Sequence, residues 1–595
     1  MKKLLLSLAA VVVGSTAMSQ YIFRVTQPAP IAANYDFTGP DDGSSWGLTT
    51  LAGIYVEDTI VFYNDGTPGN NAQGNPNYAG GCNPLAPNAL AGKIAVVYRF
   101  DGASSGNCSF GVKAQMCANA GAVAVIIVNR EEALIATSGG TEGAAVNIPV
   151  IFVAQSTGNA LKSQLLAGQT VIGIIGDKTG VFGDDLGALK ADVTRANAGI
   201  EPLAIAQSGS EFPVQPGSWV RNYGSNDQTN VTLNAKIMMG STTVYNQTSP
   251  GQLLASGDSV YIDQLPAFTP ATYSAGTYTL SYTISSDAMD EDTADNTMSS
   301  NFTFDTKLWS LARANAYGDP MNDGGIRGTS TTGSGLFFEA CSVFRDAHAS
   351  RMSVYGLTGE ITVAVGKQPA GEEVQFKMYQ WNDQFTDLND PNIATFADIM
   401  TDLQEVGSAS IFLEDTTLLD TTLYAPFDGG AVTMLDNQRY LFCIIVNEDS
   451  LYIGYDNKTS YESNINNLDA QPRYPVYVAD ASTGSGGTWY SGFTGGPVPA
   501  IGAVVANPLG LAESEITATA YPNPSKDVVN VTLNENGKGK LLVTDMAGRI
   551  VSTQALDVAN GQFSTNVSGL TTGNYLFSVV FDNGKTSRFN IAVVK

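Results

Sequence analysis

The chain has 595 residues, 43% of them hydrophobic, with 62 Gly and 25 Pro, enough apolar material for several cored domains joined by many turns. Its 30 basic and 56 acidic residues leave a formal charge of −26. A nucleic acid would be repelled by such a surface rather than release counterions onto Lys and Arg, so that class of partner is excluded.

The start has the anatomy of a secretory signal peptide: Lys2 and Lys3, an apolar run from Leu4 to Val13, then the small-residue pattern Ala17-Met18-Ser19, with cleavage expected before Gln20. That run is too short to span a bilayer, and no comparable one follows, so no transmembrane segment is expected. Residues 93 to 177 then alternate strand and helix. "KIAVVYRF" is a short strand, and Ser109 caps a helix with Phe110, Ala114, Cys117 and Gly121 on its inner face. "AVAVIIVNR" has the unbroken apolar character of a strand buried on both sides. It is followed by the strand "IPVIFVAQ", the helix "STGNALKSQLLAG" and the strand "TVIGIIG".

"GCNPL" at 81 to 85, "AGKIAVVYR" at 91 to 99, "CSFGVKA" at 108 to 114, "NAGAVAVIIVN" at 119 to 129 and "NIPVIFV" at 147 to 153 together resemble a protease-associated (PA) domain, assigned to residues 20–178. The resemblance implies a module for protein interaction or substrate access with no chemistry of its own. It also implies a disulfide between Cys82 and Cys108. A helical Cys117 stands about 12 Å along the axis from Cys108, beyond disulfide reach, and is expected as a buried free thiol.

Residues 179–202 read as a polar linker. Beyond them the period changes to two: Val231, Leu233, Ala235 and Ile237 share one face, as do Tyr278, Leu280, Tyr282 and Ile284. Residues 203–306 resemble the immunoglobulin-like adhesion modules of secreted bacterial proteins. Their acidic run, Asp287, Asp290, Glu291, Asp292 and Asp295, reads first as a solvated turn. As calcium ligands, Asp287, Asp290, Asp292 and Asp295 are weak candidates, because the alternating spacing and sharp-turn glycine of a calcium loop are missing. No other cofactor is indicated.

Residues 307–510 contain the strands "EITVAVG", "VQFKMYQWN", "RYLFCIIVN" and "SLYIGYDN", with "NIATFADIMTDLQEVG" as a short helix or a long crossover; a jelly-roll-like sandwich is expected. Cys341 and Cys443 fall in apolar runs and are able to pair across strands. Aromatic residues gather in "GGTWYSGFTGG" at 486 to 496, a Gly-rich loop or a sugar-stacking platform.

Residues 511–595 form a distinct module, neutral from Glu513 onward with seven basic and seven acidic residues. Tyr521, Pro522, Asn523 and Pro524 open it. The Asp545-to-Arg549 turn with Gly548, then Gly573 and Tyr575, and the final Lys595 complete the pattern. These residues resemble the C-terminal sorting domain of the Bacteroidetes type IX secretion system, in its commoner form. The resemblance implies export to the surface or medium, contact with that machinery, and removal of the tail.

No catalytic residue is assigned. The chain holds one histidine, His348, and no HExxH or GxSxG, and none of its Asp-Ser or Asp-Thr pairs precedes Gly. The sequence thus predicts a multidomain, mainly β, exported protein that binds protein, peptide or polysaccharide without catalysis. A carboxylate-dependent, glycosidase-like hydrolase with its site in 307–510 and a purely structural adhesin remain as alternatives.

Overall fold

Three apolar runs, Ile94–Tyr98, Ala124–Val128 and Val150–Val153, form parallel neighbours whose residues are all buried. Both faces are covered, as expected where helices flank a parallel sheet. Tyr55–Phe62 lies parallel to the first, and Val171–Asp177 and Tyr21–Gln27 extend the sheet antiparallel, within eight strands. Ser109 Oγ accepts from the Val112 amide at 3.3 Å and starts the helix Phe110–Asn119; Gln155–Leu166 is the second long helix. This second helix lies so close to the sheet that a Cβ on Gly158 would stand 2.0 Å from Val128 Cγ1. The computed structural model describes residues 21–595 except 101–106, 133, 136, 328–335, 365–366, 449, 481–486, 493–495, 507–517, 546–548 and 582–585, so the expected signal peptide lies outside it.

Residues 179–202 depart from the expected linker. Asp185, Leu186, Asp192, Val193, Thr194, Arg195, Ile200 and Glu201 are buried, and no helix occurs in the segment. Several of its polar side chains are bonded within the protein. Arg221 makes two bonds to Asp192, at 3.1 and 2.6 Å, and Arg195 donates to the Ser460 carbonyl at 3.0 Å. Ile200–Pro202 enters a sheet, parallel to Thr297–Asp305 on one side and antiparallel to Leu308–Ser310 on the other. Leu308–Ser310 then pairs with Gly502–Ala506.

The two expected sandwiches therefore share a sheet of 14 strands, and residues 1–505 group as one compact unit, with 506–595 as a second. In the first unit one large core runs from Leu186 to Val505. It contains the alternating faces of Gln228–Met239 and Gly276–Ser285 as well as Phe376, Ile444 and Val446. A separate six-stranded sheet closes the second half, in the order Leu403–Leu413, Glu372–Trp381, Arg439–Val446, Leu336–Phe344, Val476–Asp480, Thr488–Tyr490. "NIATFADIMTDLQEVG" yields a one-turn helix, Phe396–Ile399, and the start of an edge strand.

The second unit is a small sandwich of three strands and four, with Val529, Val531 and Leu533 in its core beside Tyr575, Phe577 and Val579.

The α/β sheet meets the rest of its unit through a buried ion cluster. Lys178 Nζ, fully buried, lies 2.9 Å from Asp185, 2.9 Å from Asp292 and 2.7 Å from Asp295. It also sits 4.8 Å from the centre of the Tyr223 ring, while Arg24 joins Asp292 at 2.8 Å. Burial disfavours the ammonium, but the three carboxylates outweigh it and raise its pKa. Replacing Lys178 by Met leaves three clustered carboxylates without their cation, which is expected to cost roughly 3–5 kcal/mol at neutral pH. Urea denaturation of the two proteins measures the difference; an unchanged midpoint would mean that the cluster does not hold the unit together.

Candidate functional site

The four acidic residues considered for calcium do not converge. Asp287 accepts from Thr229 Oγ1 and Asn230 Nδ2, at 2.9 and 3.0 Å, and Asp290 accepts from the amides of Leu186 and Asp292, at 2.7 and 2.8 Å. Asp292 and Asp295 do come together, with Asp185, around the Lys178 ammonium. Burial pushes the Asp185 carboxyl up to about 7. Asp185 gave no sequence signal because it lay in the presumed linker.

Cys82 and Cys108 are bonded, with Cα atoms 5.8 Å apart, and so are Cys341 and Cys443, with Cα atoms 4.1 Å apart. Cys117 is a buried free thiol whose pKa burial pushes up. Lys113, on the same helix, is buried against the first disulfide: its Nζ donates to the Gly80 carbonyl and lies 5.5 Å from the Phe100 ring centre, and burial lowers its pKa to about 8.

His348 is half-buried at a surface turn. Its Nε2 lies 3.6 Å from Glu211, a carboxylate already held by two 3.0 Å bonds from Arg351.

The densest unassigned chemistry lies on the six-stranded sheet, on the face turned away from the large core. Side chains alternate: Phe338, Ala340, Phe376, Met378, Phe442 and Ile444 point into that core, and the residues between them point outward. One half of the outer face is covered. Phe385, Leu388, Ile393, Phe396, Ile399 and Met400 pack over the Cys341–Cys443 disulfide and Trp381. Arg439 pins this cover from below. It donates to Asp383, to the carbonyls of Phe385 and Thr386, at 3.2 and 2.6 Å, and to Gln471, with Phe385 stacked 4.2 Å above it.

On the same face one row crosses all six strands, Ser410, Gln375, Ile445, Glu339, Tyr477 and Trp489, and its last member packs with the cover. Tyr477 is flanked by Phe337 and Trp489, with ring centres 5.6 and 5.2 Å away. Glu339 is 4% exposed, and its Oε1 has no hydrogen-bond partner. Burial raises its carboxyl to about 7, against the opposing pull of the Tyr379 hydroxyl that donates to it and of the Lys377 charge. Lys377 pairs with Glu405 at 3.0 Å; that bond and Ser408 outweigh burial and hold Glu405 below its usual range. From "GGTWYSGFTGG" the structure thus brings Trp489 to the row, while 486 and 493–495 lie outside the described residues. Glu339, Gln375 and Tyr379 carried no local signal.

In the C-terminal unit Asn523 bonds across to the backbone of Asn590 and Ala592, at 2.9 and 2.8 Å. The hydroxyl of buried Tyr575, two residues after Gly573, donates to the Thr571 carbonyl at 3.0 Å, and Lys595 donates to the Ser568 carbonyl. Pro522 and Pro524 bracket Asn523, Tyr521 is 55% exposed, and Gly548 falls outside the described residues.

Residues 57–161 match the PA domain family, and residues 519–593 match the secretion system C-terminal sorting domain. The chain carries a PA domain and a type IX sorting domain. The second places the protein among those secreted or displayed at the cell surface, and no helix among the described residues is long and apolar enough to cross a membrane. Among curated proteins none matches the chain.

Solved structures with partial likeness include an aminopeptidase from Aneurinibacillus sp. strain AM-1, at 21% identity over 27% of this chain and 31% of that one, TM-score 0.19. A zinc aminopeptidase from Bacillus subtilis matches at 18% identity over 26% and 29%, TM-score 0.18. A β-glucuronidase from Ruminococcus gnavus matches at 10% identity over 45% and 38%, TM-score 0.15. The chain spans less than a third of the length of either aminopeptidase, and no argument about activity rests on these scores.

Because folded Glu339 keeps a proton that the unfolded chain releases, its contribution to stability is present below about pH 4.5 and is lost as the pH rises towards about 7. Glu339→Gln removes this loss. The variant is expected to match the wild type near pH 4 and to exceed it near pH 8 by up to roughly 3 kcal/mol. Denaturation at both pH values checks this; a variant less stable at the higher pH would show that Glu339 is held as a paired anion.

Proposed function

We propose that the protein is an exported, non-catalytic binding protein. It holds a protein, peptide or polymer ligand on its PA domain and β-sandwiches, and its sorting domain delivers it by contact with the type IX machinery. The observation that carries this reading is the engagement of the groups a histidine-dependent hydrolase would need. His348 shares Glu211 with Arg351, and the thiol nearest to it in sequence, that of Cys341, is bonded to Cys443. An imidazole placed against an arginine-held carboxylate, an oxidised Cys341 and a single imidazole for any metal support recognition rather than hydrolysis.

One observation favours the second reading, a carboxylate hydrolase within 307–510. Burial and, to a lesser degree, the Glu405 charge raise the Glu339 carboxyl, while Lys377 and Ser408 hold Glu405 down, an opposition of the kind found between an acid and an ionised partner. Incubation of purified wild type, His348→Ala and Glu339→Gln with casein and with mixed polysaccharides separates the readings. No release of peptides or reducing ends is expected from any of the three. Reducing ends released by the wild type and lost in Glu339→Gln would establish the hydrolase, and casein cleavage lost in His348→Ala would overturn both readings.

A further inference from the structure

We infer that Lys178 and Asp185 become joined by an isopeptide bond, an amide between Nζ and Cγ that the folded protein forms with loss of one water. The ion cluster described above is the arrangement before this condensation. The inference is independent of any ligand the protein binds.

The first support is proximity. Lys178 Nζ donates to Asp185 Oδ1 at 2.9 Å. The carbon to be attacked lies one bond beyond that oxygen, close to the roughly 3–3.5 Å of a near-attack pair. Groups held in this way react as if each were present at about 10⁵ M or more.

The second is the state of the acid. An ionised carboxylate resists a nucleophile, whereas a protonated carboxyl carries a hydroxyl that leaves as water. The Asp185 side chain is fully buried, and its Oδ2 has no hydrogen-bond partner among the described residues. A hydroxyl is less costly than an anion in such a place, and burial accordingly raises this carboxyl to about 7 against the pull of Lys178. Asp292 is unsuited to the role. Burial would raise it as well, but its bonds to Arg24 and Lys178 prevail and hold it below the usual carboxylate range.

The third is a proton acceptor in a dry site. Asp295 Oδ2 stands 2.7 Å from Nζ, and one oxygen from each of Asp185, Asp292 and Asp295 lies within 4.8 Å of the others. Gly187 gives the Asp295 carboxyl its room, since a Cβ there would stand 2.4 Å from Oδ2. The Tyr223 ring walls the site 4.8 Å from the fully buried Nζ, which keeps out the water that would reverse the reaction.

The step balances without any co-reactant. Asp295 takes one proton from the ammonium, and the freed amine attacks Asp185 Cγ to form the C–N bond. A second proton passes from the nitrogen to the departing hydroxyl, the bond from Cγ to Oδ2 breaks, and water leaves. One hydrogen remains on the amide and Asp295 keeps its proton, so a buried ammonium and a buried carboxylate are both discharged. Lys178 stays in place, and Arg24 still holds Asp292.

Peptide mapping of the full chain, denatured and reduced before trypsin, tests this. Trypsin cuts after Lys178 in an open chain but not after an amidated lysine. The expected wild-type product spans residues 163–190 uncut, is one water lighter than that sequence, and shows the link in its fragment ions. Asp185→Ala is expected to restore cleavage at full mass, as is Lys178→Arg, whose guanidinium keeps the charge. Asp295→Ala is expected to slow linkage after refolding by about 10²-fold or more. The wild-type map decides the matter even if the variants fail to fold. Cleavage after Lys178 with both peptides at full mass would overturn the bond and leave an ion cluster only. A water lost from a peptide still cut at Lys178 would mean succinimide closure and would overturn it equally. A link from Lys178 to Asp292 or Asp295 would overturn the assignment to Asp185.

Discussion

A lysine ammonium with no access to water organises the larger unit of this protein. Lys178 leaves the last strand of the α/β sheet and enters a nest of three carboxylates, two contributed by the acidic run near residue 290 and one by the segment between. Burying an ammonium among carboxylates is costly unless the geometry satisfies it, and here its bonds are all 2.7 to 2.9 Å, with the Asp185 carboxyl raised to about 7 by burial. Arg24 reinforces the nest from a neighbouring strand. The PA domain is thus fixed to the sandwich by charge where the sequence suggested a polar linker, and the segment after Lys178 is drawn into the interior. From there it supplies the strand Ile200–Pro202 that joins two sheets into one.

This constraint explains which parts of the fold were readable in the sequence. The α/β sheet was, because its strands are unbroken apolar runs and its helix begins at a capping serine. The C-terminal sandwich was, because Val529, Val531 and Leu533 alternate with polar residues. Residues 179–202 were not, since polarity normally signals water, and nothing local distinguishes an aspartate facing solvent from one turned inward onto Lys178, as Asp185 is, or onto Arg221, as Asp192 is. Three-residue strands such as Ile200–Pro202 and Leu308–Ser310 are too short to show any period. The separation into two sandwiches at residue 306 was an inference from length, and the shared sheet is set by long-range pairing instead.

The candidate site divides in the same way. Both cysteine pairs and the aromatic stretch around Trp489 drew notice in the sequence, because those residue types are informative alone. Glu339 did not, in the middle of "FFEACSVF", where a single acid reads as an interruption of a strand. Its character comes from Tyr379, Lys377, Ile445 and Tyr477, donated by three other strands up to about 140 residues away. The acidic run read first as a solvated turn, but Asp292 and Asp295 are buried and face a cation that is a side chain of the protein itself, Lys178.

Everything above depends on the segment after Lys178 being interior. Native-state hydrogen exchange followed by mass spectrometry on peptides covering 178–202 measures this directly, with the strand Gln228–Met239 as an internal standard for the core. Amides of 185–202 exchanging as slowly as that strand are the expected result. Exchange within seconds, at the rate of an open chain, would contradict the account, since a solvated connector could neither fix the PA domain nor carry the shared sheet.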